Sequence, residues 1–173
     1  MNLDFKQFIP TNFDNSSRVW IYQSSRLFAI SEALEMEEMF NTFIADWKTH
    51  GTPVKGYANL FFGQFIIIMA DEMAMGGSVS GCSTDSSIRV IKDIEQRFKV
   101  DMFNRQNLAF VLKGKIELLP LVHLSHAIIN NFIKTDTPYF NNLVGNKEDL
   151  FTKWIIPANE SWLAKKFENV QVL

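Results

Sequence analysis

The residues with the most reactive side chains lie in one stretch, Ser78-Val79-Ser80-Gly81-Cys82-Ser83-Thr84-Asp85-Ser86-Ser87, which holds the chain's only cysteine. An apolar run, Phe65-Ile66-Ile67-Ile68-Met69-Ala70, comes just before it, and Ile88, Ile91, Ile94 and Phe98 repeat at helical spacing after it. Strand, small-residue loop and helix start form a layout that can present free backbone N–H groups to an anion. A thiol near a helix start can be held as the thiolate, which would make Cys82 a nucleophile. The competing reading packs Cys82 under the loop as a small apolar residue. Ser83, Thr84 or Asp85 can equally serve as an ordinary helix cap.

Other chemistries fit less well. Gly76-Gly77-Ser78-Val79-Ser80-Gly81-Cys82-Ser83 has the spacing of a phosphate-binding P-loop, but Cys82 stands where lysine belongs. Without that lysine the β- and γ-phosphates lose their counter-charge, so nucleotide hydrolysis is not expected. His123 and His126 can share a helical face, but two ligands with no nearby cysteine or carboxylate pair make a poor zinc site. No metal and no cofactor is expected. Asp71 and Glu72 are adjacent in an extended segment and point to opposite faces, a poor arrangement for paired acid–base work. Met69, Met73 and Met75 read as core beside them.

The elements that must position these residues are legible from periodicity. Residues 1–16 look like an irregular lead-in, broken by Pro10. Arg18–Gln23 is rich in β-formers and reads as a first strand. Met36, Met39, Phe40, Phe43, Ile44 and Trp47 mark one face of a long helix, with Ser31 as its cap and its start at Glu32. Residues 56–62 and 64–70 read as a hairpin around Gly63, the second strand covered on both faces. Leu108–Leu112 and Ile116–Leu119 form another hairpin around Lys113-Gly114-Lys115. Leu121–Ile133 reads as a third helix. Asn146 caps a short helix through Trp154, with Asp149 three residues on, and Trp154 and Trp162 pin the tail.

This order predicts one α+β domain with a ferredoxin-like split βαβ core (β-α-β-β-α-β) over 17–133, an added strand and third helix, and a loop-rich extension over 134–173. In such a sheet the first strand and the 64–70 strand run parallel, so Ser24-Ser25-Arg26 would meet Asp71, Glu72 and the Gly81–Ser87 loop at one edge. Arg26 or Arg105 would then be the counter-charge for a ligand held there.

The composition supports a large core: 47% of the 173 residues are hydrophobic, with 16 Phe and 4 Trp. A net charge of −2 without a basic stripe argues against nucleic acid as a partner. The N-terminus lacks a signal-peptide layout, and the longest apolar run is too short for a membrane span. One cysteine suits a reducing compartment, and a cytoplasmic location without a membrane partner is expected.

Val19-Trp20-Ile21-Tyr22-Gln23, Gly81-Cys82-Ser83-Thr84-Asp85-Ser86, Phe103-Asn104-Arg105, Phe140-Asn141-Asn142-Leu143-Val144 and Ser161-Trp162-Leu163 stand in an order that resembles a family of small bacterial proteins. The family is found mainly in the Bacteroidetes and is often labelled "ABC transporter ATPase". The label conflicts with the missing lysine, the missing signature motif and the size of the chain. The likeness implies no activity and carries over no catalytic residues.

Three functions remain in view. The first is a module binding a small molecule or anion, with Arg26, Asp71, Glu72, Gly81, Cys82, Ser83, Thr84, Asp85, Ser86 and Arg105 as candidate site residues. The second is a thiol enzyme using Cys82 with a histidine brought near by the fold. The third is a protein-interaction domain using exposed aromatics and the Phe140–Val144 loop.

Overall fold

A computed structural model describes residues 1–49, 51–71 and 81–170, with the backbone alone for 81–84 and 169–170. In chain order the described elements begin with β1 (Arg18–Gln23), α1 (Ile30–Asp46), β2 (Lys48–Thr49) and β3 (Thr52–Pro53). They continue with β4 (Gly56–Phe61), β5 (Phe65–Ala70), α2 (Gly81–Phe98), β6 (Asn107–Leu112), β7 (Lys115–Pro120) and α3 (Leu124–Ile129). The last are β8 (Pro138–Phe140), α4 (Lys147–Lys153), β9 (Ile155–Pro157) and α5 (Ala164–Val170). The fold is α+β.

Every residue of β5 is buried, because the strand is covered on both faces. Ile66, Ile68 and Ala70 face Met36, Phe40, Trp47, Ile91 and Ile94 of the helical side. Phe65, Ile67 and Met69 face the opposite way, against Phe140, Leu150 and Trp154. β5 is the centre of a three-stranded sheet, β1-β5-β4. A second sheet, β7-β6-β8-β9, stacks on its far face. Leu108 and Phe110 turn outward from that second sheet onto Leu124, Ile128, Leu163 and Phe167. The result is four layers: α1 and α2, the first sheet, the second sheet, then α3 and α5.

The topology is not the ferredoxin-like one. β1 lies beside β5 but runs antiparallel to it, in register from Arg18↔Ala70 to Gln23↔Phe65. β6, expected to complete the same sheet, belongs to the second sheet. Periodicity identifies a strand and its buried face but not its neighbour's direction, and the β1–α1–β4 crossover leaves the central place to an antiparallel β5.

Both hairpins form where expected. Phe62 and Gly63 take positive φ (54° and 66°) between β4 and β5, and Lys113 and Gly114 do so (49° and 75°) between β6 and β7. The Lys113-Gly114 turn fits the two-residue type whose twist matches the strands. Asn146 caps α4, accepting from the Asp149 N–H at 2.8 Å. Three other expectations change. α1 starts at Ile30 after Ala29, and the Glu32 carboxylate accepts the Ala29 N–H at 2.7 Å, so Ser31 is not the cap. The third helix is short, a 3-10 turn at Leu121–His123 followed by α3. The lead-in is structural, because Phe5, Ile9 and Phe13 insert between the sheets and α4. Among the described residues, no helix is long and apolar enough to cross a membrane.

Candidate functional site

The reversed strand separates the residues expected to meet. Arg26 follows the Gln23 end of β1, whereas Asp71 follows the Ala70 end of β5, opposite Arg18. A six-residue strand puts these ends about 20 Å apart.

Each of the two groups is held by its own structural partners. Arg26 donates to both oxygens of Glu32 at 2.8 Å, to the Leu27 carbonyl at 3.0 Å and to the Phe98 carbonyl at 2.7 Å. It thereby ties the first turn of α1 to the last carbonyls of α2, where a cation also meets the negative end of the helix dipole. Arg26 and the Ala29 N–H together lower the Glu32 carboxyl to about 2. Asp71 is buried and accepts from Lys55 Nζ at 2.7 Å, and the same ammonium donates to the Asn12 carbonyl. Arg26 and Asp71 therefore do not meet, and each sits at its own end of the sheet.

The Gly81–Ser87 segment is helical and opens α2, so it is not a loop preceding it. Asp85 is exposed. Ser86 lines a shallow cleft of about 290 Å³ between α1 and α2 with Phe43 and Arg89. Ser87 is fully buried and hydrogen-bonds the Tyr22 phenol. Glu72 and the side chains of Cys82, Ser83 and Thr84 lie outside the described residues, as do His50, Met73 and Met75, and Gly81 is described only as the first residue of α2. His123 and His126 are exposed, and among the described residues no cluster of three metal-ligating side chains forms.

Arg105 lies elsewhere. It is exposed and forms no ion pair among the described residues. It stands near enough to Tyr22 to act on its phenol. Burial pushes that phenol's pKa up, while the Ser87 hydrogen bond and the Arg105 charge pull it back. Phe103 packs edge-on against the Tyr22 ring at 5.7 Å.

Arg105 and Tyr22 belong to a groove of about 410 Å³ between the outer edge of β1 and the β6–β8 side of the second sheet. Four segments singled out in the sequence meet around it: 19–23, 103–105, the Phe140–Val144 loop and Trp162. Phe103 (38% exposed) and Trp162 (41%) stand partly in solvent at the groove, and the Trp162 indole donates to Tyr139 Oη at 3.1 Å. Two arginines, Arg18 and Arg105, line the groove, and no acidic side chain does among the described residues.

A chain of polar side chains ties the two walls together. Gln23 Nε2 donates to the Asn107 carbonyl at 3.0 Å, Asn142 Nδ2 donates to Gln23 Oε1 at 2.9 Å, and the buried Trp154 indole donates to Asn142 Oδ1 at 3.1 Å. Sequence reasoning took the Phe140–Val144 loop as an interaction surface. In the fold Phe140 stacks on Phe65 at 4.5 Å, Val144 is buried and Asn142 braces the groove, leaving Leu143 exposed. Gln23 and Asn142 were missed as a pair. Their one signal was a polar residue closing a β-rich run and a doubled asparagine in an otherwise apolar loop.

No protein-family model, no curated protein and no solved structure matches the chain.

Proposed function

We propose that the protein is a binding module for a small anionic ligand, and that the groove along β1 receives it. The observation that carries this reading is Arg105, an exposed cation without an ion pair among the described residues, at a recess whose described walls hold no carboxylate. Such a site favours a negative group, because no neighbouring anion must be displaced from the guanidinium. Tyr22, Phe103 and Trp162 add apolar and aromatic area to the walls, and the volume falls within the range of small-ligand pockets, about 300–1,000 Å³. The Gly81–Ser87 segment contributes through Ser87, which helps to lower the Tyr22 phenol against the effect of burial.

Phenyl phosphate, an aromatic anion, is a suitable probe. Titration is expected to raise the Tm and shift amide resonances of 19–23 and 103–105, and Arg105→Glu is expected to abolish both effects. An unchanged Tm with unmoved groove resonances would overturn the reading.

A further inference from the structure

Resting on that groove reading, we infer that the natural occupant is an extended, carboxylate-bearing peptide segment that pairs its backbone with the open edge of β1. The backbone bonds fix which way that edge faces. Ser24 N–H donates inward to the Gln64 carbonyl at 2.8 Å, whereas Val19 N–H donates outward to the Gly145 carbonyl at 3.0 Å. Strand alternation therefore turns both peptide groups of Ile21 away from β5 and into the groove. Among the described residues neither has a backbone partner on that side.

The chain already uses the start of this edge for strand pairing. Lys147 N–H donates to the Ser17 carbonyl at 2.9 Å, and Arg18 bridges Asn146 in antiparallel fashion. That pairing stops where Gly145 accepts the Val19 N–H, which leaves the span from Trp20 to Gln23, about 10 Å of edge at strand rise. Three or four extended residues fit such a length. On the opposite wall, β8 meets β6 at the single pair Phe110↔Tyr139, and the Asn107 carbonyl of β6 is taken by Gln23 Nε2, so the opening for a strand lies along β1. A segment laid along β1 would extend the first sheet by one strand, the arrangement of β-strand addition. Groups left open at a strand edge are a template for such pairing.

The charge selects the side chains. Arg105 stands at the groove without an ion pair among the described residues, and no acidic residue is among the described lining, so a segment with glutamate or aspartate is favoured over a basic one. The aromatic rings of Tyr22, Phe103 and Trp162 suit apolar side chains at alternate positions.

The test uses the full chain labelled with ¹⁵N and three synthetic probes. These are acetyl-Glu-Val-Glu-Val-Glu-amide, the same peptide with both valines N-methylated, and acetyl-Lys-Val-Lys-Val-Lys-amide. The acidic peptide is expected to shift the Ile21 and Gln23 amides saturably and to slow hydrogen exchange at Ile21. N-methylation should weaken binding about tenfold, since it removes backbone donors. The basic peptide and the Arg105→Glu variant should each lose about tenfold or more. Equal binding of the methylated peptide, or no binding of the acidic one, would overturn strand pairing. If phenyl phosphate binds the groove while the acidic peptide does not, the peptide inference falls and the anion site stands. If neither binds, both fall.

Discussion

Arg26 follows the Gln23 end of β1 and Arg105 stands near Tyr22 of the same strand, and the sequence offers them as equivalent counter-charges. The fold treats them differently. Arg26 closes a corner, with a bidentate carboxylate, two carbonyls and the Phe28 ring around it. Arg105 stands at the mouth of a groove with no carboxylate within ion-pair reach among the described residues. A charge already matched by structure contributes to stability, whereas a charge left facing a recess remains available for a ligand. The same contrast separates the two edges of β1, one fully laddered to β5 and the other, at Ile21, without a backbone partner among the described residues.

The largest expected effect tests whether the groove walls are held together as described. Asn142→Leu removes the acceptor of the fully buried Trp154 indole and the donor to Gln23 in one step. The loss should be about 2–4 kcal/mol, because buried polar groups lose their partners. Urea unfolding checks it, and a cost well under about 1 kcal/mol would remove the chain of side chains as the brace between the sheets.

Next comes the far end of the sheet, where Asp71 was expected to serve a ligand. Lys55→Met strips the cation from a carboxylate whose side chain is 4% exposed. Breaking a buried pair costs about 3–5 kcal/mol, and the partial exposure of Lys55 reduces this to roughly 2–3 kcal/mol. If stability were unchanged and ligand binding lost instead, Asp71 would return as a site residue, with Lys55 joining it.

The closed corner gives a smaller effect with a pH signature. Arg26→Ala should cost about 1–2 kcal/mol, since the pair is partly exposed. Glu32 is lowered to about 2 from an ordinary value of 4.5, so its contribution is complete above pH 4.5. It is lost as pH falls from there through about 2. Stability measured from pH 6 to pH 2 should therefore fall less steeply in Arg26→Ala than in the parent. Parallel curves would mean that the Arg26–Glu32 pair is not formed in solution.

These contrasts also mark what the sequence made legible. The face of α1, the doubly buried β5, both hairpins and the Asn146 cap follow from spacing and turn chemistry, which are local properties. Strand direction is not local. Nothing in Arg18–Gln23 says whether its neighbour runs with it or against it, and the expected meeting of Arg26 with Asp71 depended entirely on that. The groove was invisible for the same reason. Its walls come from four segments far apart in sequence, and its most informative feature is the backbone of Ile21, which has no side-chain signature. Arg105 was named for its charge, but that it makes no ion pair among the described residues becomes visible only once their carboxylates have been placed.

The smallest expected effect on stability separates the two arginines most sharply. Arg105 is exposed and makes no ion pair among the described residues, so Arg105→Ala should change stability by no more than about 0.5 kcal/mol. It should still act on Tyr22, whose phenol is raised by burial and drawn back down by the Arg105 charge. Removing that charge leaves burial less opposed, so Tyr22 should titrate at a higher pH in the variant. The phenolate absorbance of the three tyrosines can be followed against pH, with Tyr22→Phe identifying the component that moves. Arg26→Ala should leave that component in place, because the charge that draws the Tyr22 phenol down is that of Arg105. A Tyr22 transition that moves with Arg26 but not with Arg105 would reverse the assignment of the two charges, and with it the choice of the groove as the site.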